Sequence, residues 1–260
     1  MPAVFIFLFG LIIGSFLNVL IWRLPREESF VKGRSKCPHC GHALGRRDLI
    51  PLASFFFLKK KCRYCRKKIS WRYPLVELLT GTVFWFFWQF NQLSVSSYQL
   101  PIWLAILALL IVLIFIDFDY YIIPDKILIV LALLGLLNVF FLSRSLALTN
   151  VVTAAAAGLV FFLIYLFANA YYEGGGMGLG DVKLAALLGF IFGFPAILPI
   201  IYLALIASLL VGLVLLLFFK GSLKTKLPFG SFLGGAAIVY ALFNKFFLPS
   251  LMPYIFRLYI

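Results

Sequence analysis

The 260-residue chain is 64% hydrophobic and only 12% charged, about half the charged fraction of a typical soluble domain, which excludes a soluble globular enzyme and points to an integral membrane protein. Its net charge of +14 is concentrated in one stretch: residues 23–73 hold fifteen Lys and Arg against Glu27, Glu28 and Asp48, or twelve of the fourteen net charges. Nucleic-acid binding is one reading of such a patch, but a cytoplasmic loop beside anionic lipid headgroups explains it better, so no nucleic-acid partner is expected.

At about 20 apolar residues per crossing, spans are predicted near 3–22, 74–91, 101–117, 126–142, 150–172, 182–194, 196–219 and 231–248. The first lacks a basic n-region and a small-residue cleavage pattern, so it reads as a retained span and not a signal peptide. Its positive flank follows it, which places the N-terminus outside. Alternate threading then puts 23–73, 118–125, 173–181 and 220–230 inside, with Lys220, Lys224 and Lys226 on the same side as the basic loop. The organisation expected is a first helix (1–22), a cytoplasmic loop (23–73) and a transmembrane bundle (74–260). The fold class expected is an all-α polytopic membrane protein of about eight helices. Gly10, Gly14 and Ser15 form a small-residue stripe suited to close helix packing.

All four cysteines fall in the basic loop, as Cys37-Pro38-His39-Cys40 and Cys62-Arg63-Tyr64-Cys65. Two C-x-x-C pairs at that spacing can offer four thiolates to one zinc ion, and a cytoplasmic loop disfavours disulfides. His39 and His42 could compete as ligands, but the cysteines already complete a closed structural site. Farther on, Glu77 lies in the first turns of the second span, where an acid can cap the helix or serve a function.

Only nine acidic residues occur: Glu27, Glu28, Asp48, Glu77, Asp117, Asp119, Asp125, Glu173 and Asp181. The three in the basic loop need no special reason, and the other six all thread to the cytoplasmic boundary. An ionised group at hydrocarbon depth costs at least about 2.5 kcal/mol, so these six ask for one. Asp181 follows Gly174, Gly175, Gly176, Gly178 and Gly180, a loop that permits unusual backbone and close approaches and could hold an extended substrate. Two aspartates sharing a water form a hydrolytic pair that needs no metal or other nucleophile. Asp181 is one member; Asp117, Asp119 and Asp125 compete for the other. Asp119 would point away from Asp117 on a continued helix, and Asp125 after Pro124 also reads as an N-cap.

The chain resembles the type IV prepilin peptidases, bifunctional leader peptidases and N-methyltransferases. The resemblance is carried by Gly14-Ser15-Phe16-Leu17-Asn18-Val19 with Arg23-Leu24-Pro25, the paired C-x-x-C loop, the run Arg72 to Gly81, Ile116-Asp117-Phe118-Asp119 with Ile123-Pro124-Asp125, and Gly176-Met177-Gly178-Leu179-Gly180-Asp181-Val182-Lys183-Leu184. It implies a G-x-G-D aspartyl protease bundle with Asp117 and Asp181 as the catalytic pair. Gly178, Gly180 and Asp125 are read as support for the loop and substrate. The implied substrates are the N-terminal segments of prepilins or pseudopilins, cut after glycine on the cytoplasmic side of the bacterial inner membrane. S-adenosylmethionine is the implied methyl donor, to stand beside the structural zinc already expected from the cysteine spacing, and the lipid bilayer is the other partner; no residues for the donor are assigned. The competing readings are a presenilin-like protease, which would lack the cysteine loop, and a transporter, whose acids would sit nearer the bilayer midplane.

Overall fold

A computed structural model describes residues 2–29, 33–91, 98–140, 144–171, 176–218 and 227–255. Glu173, Gly174, Gly175 and the Lys220, Lys224 and Lys226 cluster lie outside the described residues. Among the described residues the structure is all helical, apart from two isolated β-bridges. Nine α-helices are seen there: α1 (Pro2–Arg23), α2 (Ala53–Phe57), α3 (Arg72–Asn91), α4 (Gln99–Tyr120), α5 (Asp125–Phe140), α6 (Arg144–Tyr171), α7 (Leu179–Phe192), α8 (Ile197–Phe218) and α9 (Phe229–Ile255). All but the short α2 overlie the eight apolar runs of the sequence.

Four stretches are long and apolar enough to cross a bilayer: Ala3–Arg26, Gln99–Tyr120, Leu146–Tyr171 and Ile197–Phe218. The chain is therefore a multi-pass membrane protein. It divides into two compact units, Met1–Ser96 and Ser97–Ile260. Helix α3, which the sequence grouped with everything up to residue 260, packs on α1 within the first of them.

The α1–α3 contact follows from absent side chains. A Cβ on Gly10 would sit 2.7 Å from Gly81 Cα, and one on Gly14 would sit 2.7 Å from Glu77 Cα. As the numbers rise on α1 they fall on α3, so the helices run antiparallel with their backbones touching. Without a hydrophobic effect between helices in lipid, close van der Waals approach is what joins them. The obstruction at Gly14 is backbone, which cannot rotate away. Gly14→Ala is thus expected to destabilise the first unit by about 1–3 kcal/mol, seen as a lower thermal midpoint of the protein in detergent.

In the second unit, α4 packs against α5 and α9, while α7 contacts α5, α6 and α9. The inward stripe of α4 includes Ile106, Leu110, Leu113 and Ile116, all fully buried. The three-to-four-residue helical period carries that stripe to Asp117 and leaves Asp119 exposed. On α7 the same period aligns Asp181 with the buried Leu184, Ala185 and Leu188. Each helix therefore turns one acid inward by the register that buries its apolar face.

Candidate active site

Helix α4 stops at Tyr121, which takes a left-handed conformation (φ 57°) and donates its N–H to the Asp117 carbonyl at 2.8 Å. That stop leaves Asp117 in the last turn, 4% exposed. Its Oδ2 accepts the Ser231 N–H at 2.6 Å and lies 2.9 Å from Ser231 Oγ. The same hydroxyl lies 3.0 Å from the Ile114 carbonyl. A hydroxyl has one proton and two lone pairs, so Ser231 can donate to an ionised Asp117. It can equally accept from a protonated Asp117 while donating to Ile114. Either state of the acid is satisfied without moving the chain.

Asp181 is 9% exposed and stands three residues after Gly178, the N-cap of α7. From there its carboxylate reaches back to the Gly178 N–H, which is half of a capping box, and accepts a second N–H from Gly230. The charges of Asp117 and Asp181 interact directly. Gly230 and Ser231 are consecutive residues in the first turn of α9, where N–H groups have no partner inside the helix. One such group serves each aspartate. The positive end of the α9 dipole thus holds two acids from elements 64 residues apart in the chain.

The glycines act by closeness. Among Gly176, Gly178 and Gly180 none has a positive φ, so these three do not use the conformational freedom expected of the loop. A Cβ on Gly180 would lie 2.9 Å from Ile123 Cβ, and one on Gly230 would lie 2.6 Å from Ile123 Cδ1. Ile123 fills the space between the two bare backbones, next to the acids. Asp125 is exposed and pairs with Lys183 Nζ at 2.7 Å, a contact worth about 0–1 kcal/mol. Neither Asp125 nor Asp119 is drawn into the buried cluster.

In the first unit the two cysteine pairs form matching knuckles, related residue for residue by a shift of 25. Cys37 N–H bonds His42 O at 3.0 Å and Gly41 N–H bonds Cys37 O at 2.9 Å; Cys62 N–H bonds Lys67 O at 2.9 Å and Arg66 N–H bonds Cys62 O at 3.0 Å. Gly41 and Arg66, the residues after each second cysteine, both have positive φ, 69° and 60°. The four sulfurs all lie within 4.8 Å of one another, and Cys37 and Cys65 are 3.9 Å apart. His42 instead stacks on Tyr64, their ring centroids 3.6 Å apart.

Burial works against ionisation of Cys37, but N–H groups of His39 and Cys40 and the thiols of Cys62 and Cys40 outweigh it and lower it to about 7. At Cys65 the Lys67 N–H works in the opposite direction to burial and the other three thiols, which push it up to about 11. The Cys37 sulfur is thus ready to ionise near neutrality, with the thiols of Cys62 and Cys40 hydrogen-bonded to it. Asp48 needs more explanation than the sequence gave it. Its side chain is 5% exposed and accepts Arg63 Nε at 2.6 Å, Tyr64 OH at 3.2 Å and the Gly45 N–H at 3.0 Å. It ties the turn after the first knuckle to the middle of the second. Burial opposes its ionisation, yet Arg63 and the Gly45 N–H hold it below the usual carboxylate range.

A family model described as Bacterial Peptidase A24 N-terminal domain matches residues 8–90, and one described as Type IV leader peptidase family matches residues 104–216. A type 4 prepilin-like proteins leader peptide-processing enzyme of Escherichia coli O78:H11 is 38% identical over 255 residues, covering 89% of this chain and 91% of that protein. The chain belongs to the type IV leader peptidase family. A prepilin leader peptidase/N-methyltransferase of Aeromonas hydrophila is 34% identical, with 88% of this chain and 86% of that protein covered. One of the same description from Myxococcus xanthus is 38% identical over 83% of this chain, which spans only 63% of that relative. No solved structure matches.

The boundary between the two family segments, 90 to 104, brackets the division between the structural units. Within the leader peptidase segment, the sequence gave no role to Asn169. Its Oδ1 accepts the Gly176 N–H at 2.8 Å, and its Nδ2 points to the Met177 carbonyl at 3.4 Å, so α6 steadies the loop before Asp181. Gly230 and Ser231 were also passed over. The one available signal was Pro228-Phe229-Gly230-Ser231 ahead of an apolar run, which reads as a helix start; the eighth span, placed at 231, begins as a helix at Phe229.

Proposed function

We propose that this chain is a bacterial inner-membrane endopeptidase that removes the leader of type IV prepilins and prepilin-like proteins after glycine, then methylates the new N-terminal residue. Asp117 and Asp181 are its catalytic pair. The reading is carried by one observation: consecutive N–H groups, of Ser231 and Gly230, each hold one of the two buried carboxylates. Like charges that close do not both ionise readily, so the pair retains a proton. The ionised member takes a proton from water, which attacks the scissile carbonyl. The protonated member polarises that carbonyl and then protonates the departing amine. Because the titration belongs to the pair, the proton is assigned to neither residue alone.

Cys37, Cys40, Cys62 and Cys65 are proposed to hold structural zinc. Tetrahedral zinc about 2.3 Å from each sulfur requires sulfurs about 3.8 Å apart; the Cys37 and Cys65 sulfurs are 3.9 Å apart and all four lie within 4.8 Å of one another. Each knuckle offers its two thiols from one tight turn, and no fifth ligand is needed. Cys37→Ser is expected to leave the purified protein with little zinc by atomic absorption, whereas His42→Ala keeps the metal. A metal-free wild type with the same thermal stability would contradict the assignment.

S-adenosylmethionine, when bound, supplies an electrophilic methyl group; the chain's part is to hold it beside the acceptor amine. The eight long helices are taken to span the membrane with the N-terminus outside and the acid pair at the cytoplasmic face. Gly178 and Gly180 support the loop and its substrate, and Asp125 braces the start of α7 through Lys183. Incubating the detergent-purified protein with a prepilin and S-adenosylmethionine, followed by mass spectrometry, tests both activities. The expected product begins after the leader glycine and is one methyl heavier. An uncut prepilin would contradict the peptidase, and a cut but unmethylated one the methyltransferase.

A further inference from the structure

The first unit contains a cavity of about 640 Å³, apart from the acid pair, that runs from the α1–α3 contact to the cysteine knuckles, where Cys37 and Cys62 line it. That volume lies within the roughly 300–1,000 Å³ of small-molecule sites. Its walls include Ser15, Asn18 and Trp22 from α1 and Arg72, Tyr73 and Glu77 from α3. Two of these are polar groups whose burial the fold alone does not explain.

Asn18 is 3% exposed. Its Nδ2 donates to the Gly14 carbonyl at 3.2 Å and the Tyr73 carbonyl at 3.1 Å. Its Oδ1 has no hydrogen-bond partner among the described residues. A buried acceptor left that way is costly, of order 1–3 kcal/mol, and native structures rarely keep one without cause. Glu77 is 8% exposed and does not cap its own helix. Its Oε2 accepts the Leu52 N–H at 2.8 Å, and Ser15 also donates to it. No cation pairs with its carboxylate among the described residues. The cavity is also lined by basic residues, Lys36, Lys67 and Lys68 among them, but a buried acid without an ion-pair partner and an orphaned amide oxygen, on facing helices, mark one place in it for a cation and N–H donors.

Aromatic walls suit the same ligand. Tyr73 and Trp22 both line the cavity; Arg26 stacks 3.7 Å over the Trp22 ring, and Arg72 lies 5.7 Å from the Tyr73 ring. Rings at such a site accept flat heterocycles. S-adenosylmethionine has each required part: a sulfonium, an α-ammonium and a purine with an exocyclic amine. We propose that this cavity is the methyl-donor site, with Glu77 facing the cationic part and Asn18 Oδ1 accepting an N–H of the ligand. The proposal rests on the reading that the chain methylates its product. It assigns residues of α1 and α3 to a cofactor for which motif spacing gave none.

Isothermal titration of the full chain in detergent with S-adenosylmethionine and with S-adenosylhomocysteine, which lacks the sulfonium charge, tests it. The wild type is expected to prefer S-adenosylmethionine. Glu77→Gln keeps the shape and the bond from Leu52 but removes the charge, so it weakens S-adenosylmethionine about tenfold and abolishes that preference, while Glu77→Asp retains the preference. Asn18→Ala weakens both ligands. Zinc content and thermal midpoint report whether each variant is folded. Ultraviolet labelling of the wild type with S-adenosylmethionine needs no variant and is expected within 15–22 or 72–77. Variants that are folded and bind like wild type, or label confined to segments that do not line the cavity, overturn the site. A folded wild type that binds neither ligand overturns the methyltransferase reading itself.

Discussion

Asp117→Asn and Asp181→Asn should each reduce prepilin cleavage by about 10³-fold or more while leaving the protein folded. Proton transfer by a positioned acid or base contributes about 10²–10⁴-fold, and residues that work as a unit fail together when one is removed. The substitutions suit the test because so little else changes. Asparagine at 117 still offers an oxygen to the Ser231 N–H and hydroxyl. At 181 it still accepts from Gly178 and Gly230. The carboxamide cannot take the proton of water or return one to the leaving amine. Initial rates with a purified prepilin, at matched protein levels and unchanged circular dichroism, measure the loss. By contrast Asp125→Asn removes only the exposed pair with Lys183, and its rate should stay within about twofold of wild type.

Gly230→Ala should cost about 100-fold in kcat, although no reactive group is touched. The added Cβ would lie 2.6 Å from Ile123 Cδ1 and 3.1 Å from Asp117 Oδ2. The isoleucine end can rotate aside. The carboxylate cannot move so freely, because Ser231 fixes that same oxygen at 2.6 Å and 2.9 Å. The chain must therefore shift at the N–H groups that hold both acids, and a misplacement near 1 Å is worth about 10²-fold. Gly235→Ala on the same helix is the control, since its Cβ would meet nothing within 4 Å. That change should add up to about 1 kcal/mol of helix stability and leave the rate alone. Equal rates for Gly230→Ala and wild type would mean that the first turn of α9 does not position the acids.

Much of this architecture is legible in the chain because membrane physics is strict about length and polarity. Eight apolar runs become eight helices, and the scarcity of carboxylates makes each conspicuous. Paired cysteines at knuckle spacing are equally plain, since both pairs lie in one short segment. What escaped was contact between elements distant in sequence. Nothing local marks Gly230 and Ser231 as partners of Asp117, because the link crosses 114 residues. Asp48 looked like an ordinary acid in a basic loop until folding placed Arg63, Tyr64 and the Gly45 amide around it. Glu77 was read as a possible cap for its own helix, yet its oxygen bonds the N-cap residue of α2. The choice among Asp117, Asp119 and Asp125 was open to residue reasoning alone, and burial separates them only after α4 has a register and an end.

The most direct measurement is a double-mutant cycle on prepilin cleavage: wild type, Asp117→Asn, Asp181→Asn and the double variant, assayed together in one detergent preparation. If the two acids share one hydrolytic water, each single variant already falls to the floor, and the double variant is no slower than either. The account is contradicted if either single variant keeps more than about a tenth of the wild-type rate, or if the two losses multiply as they do for independent sites.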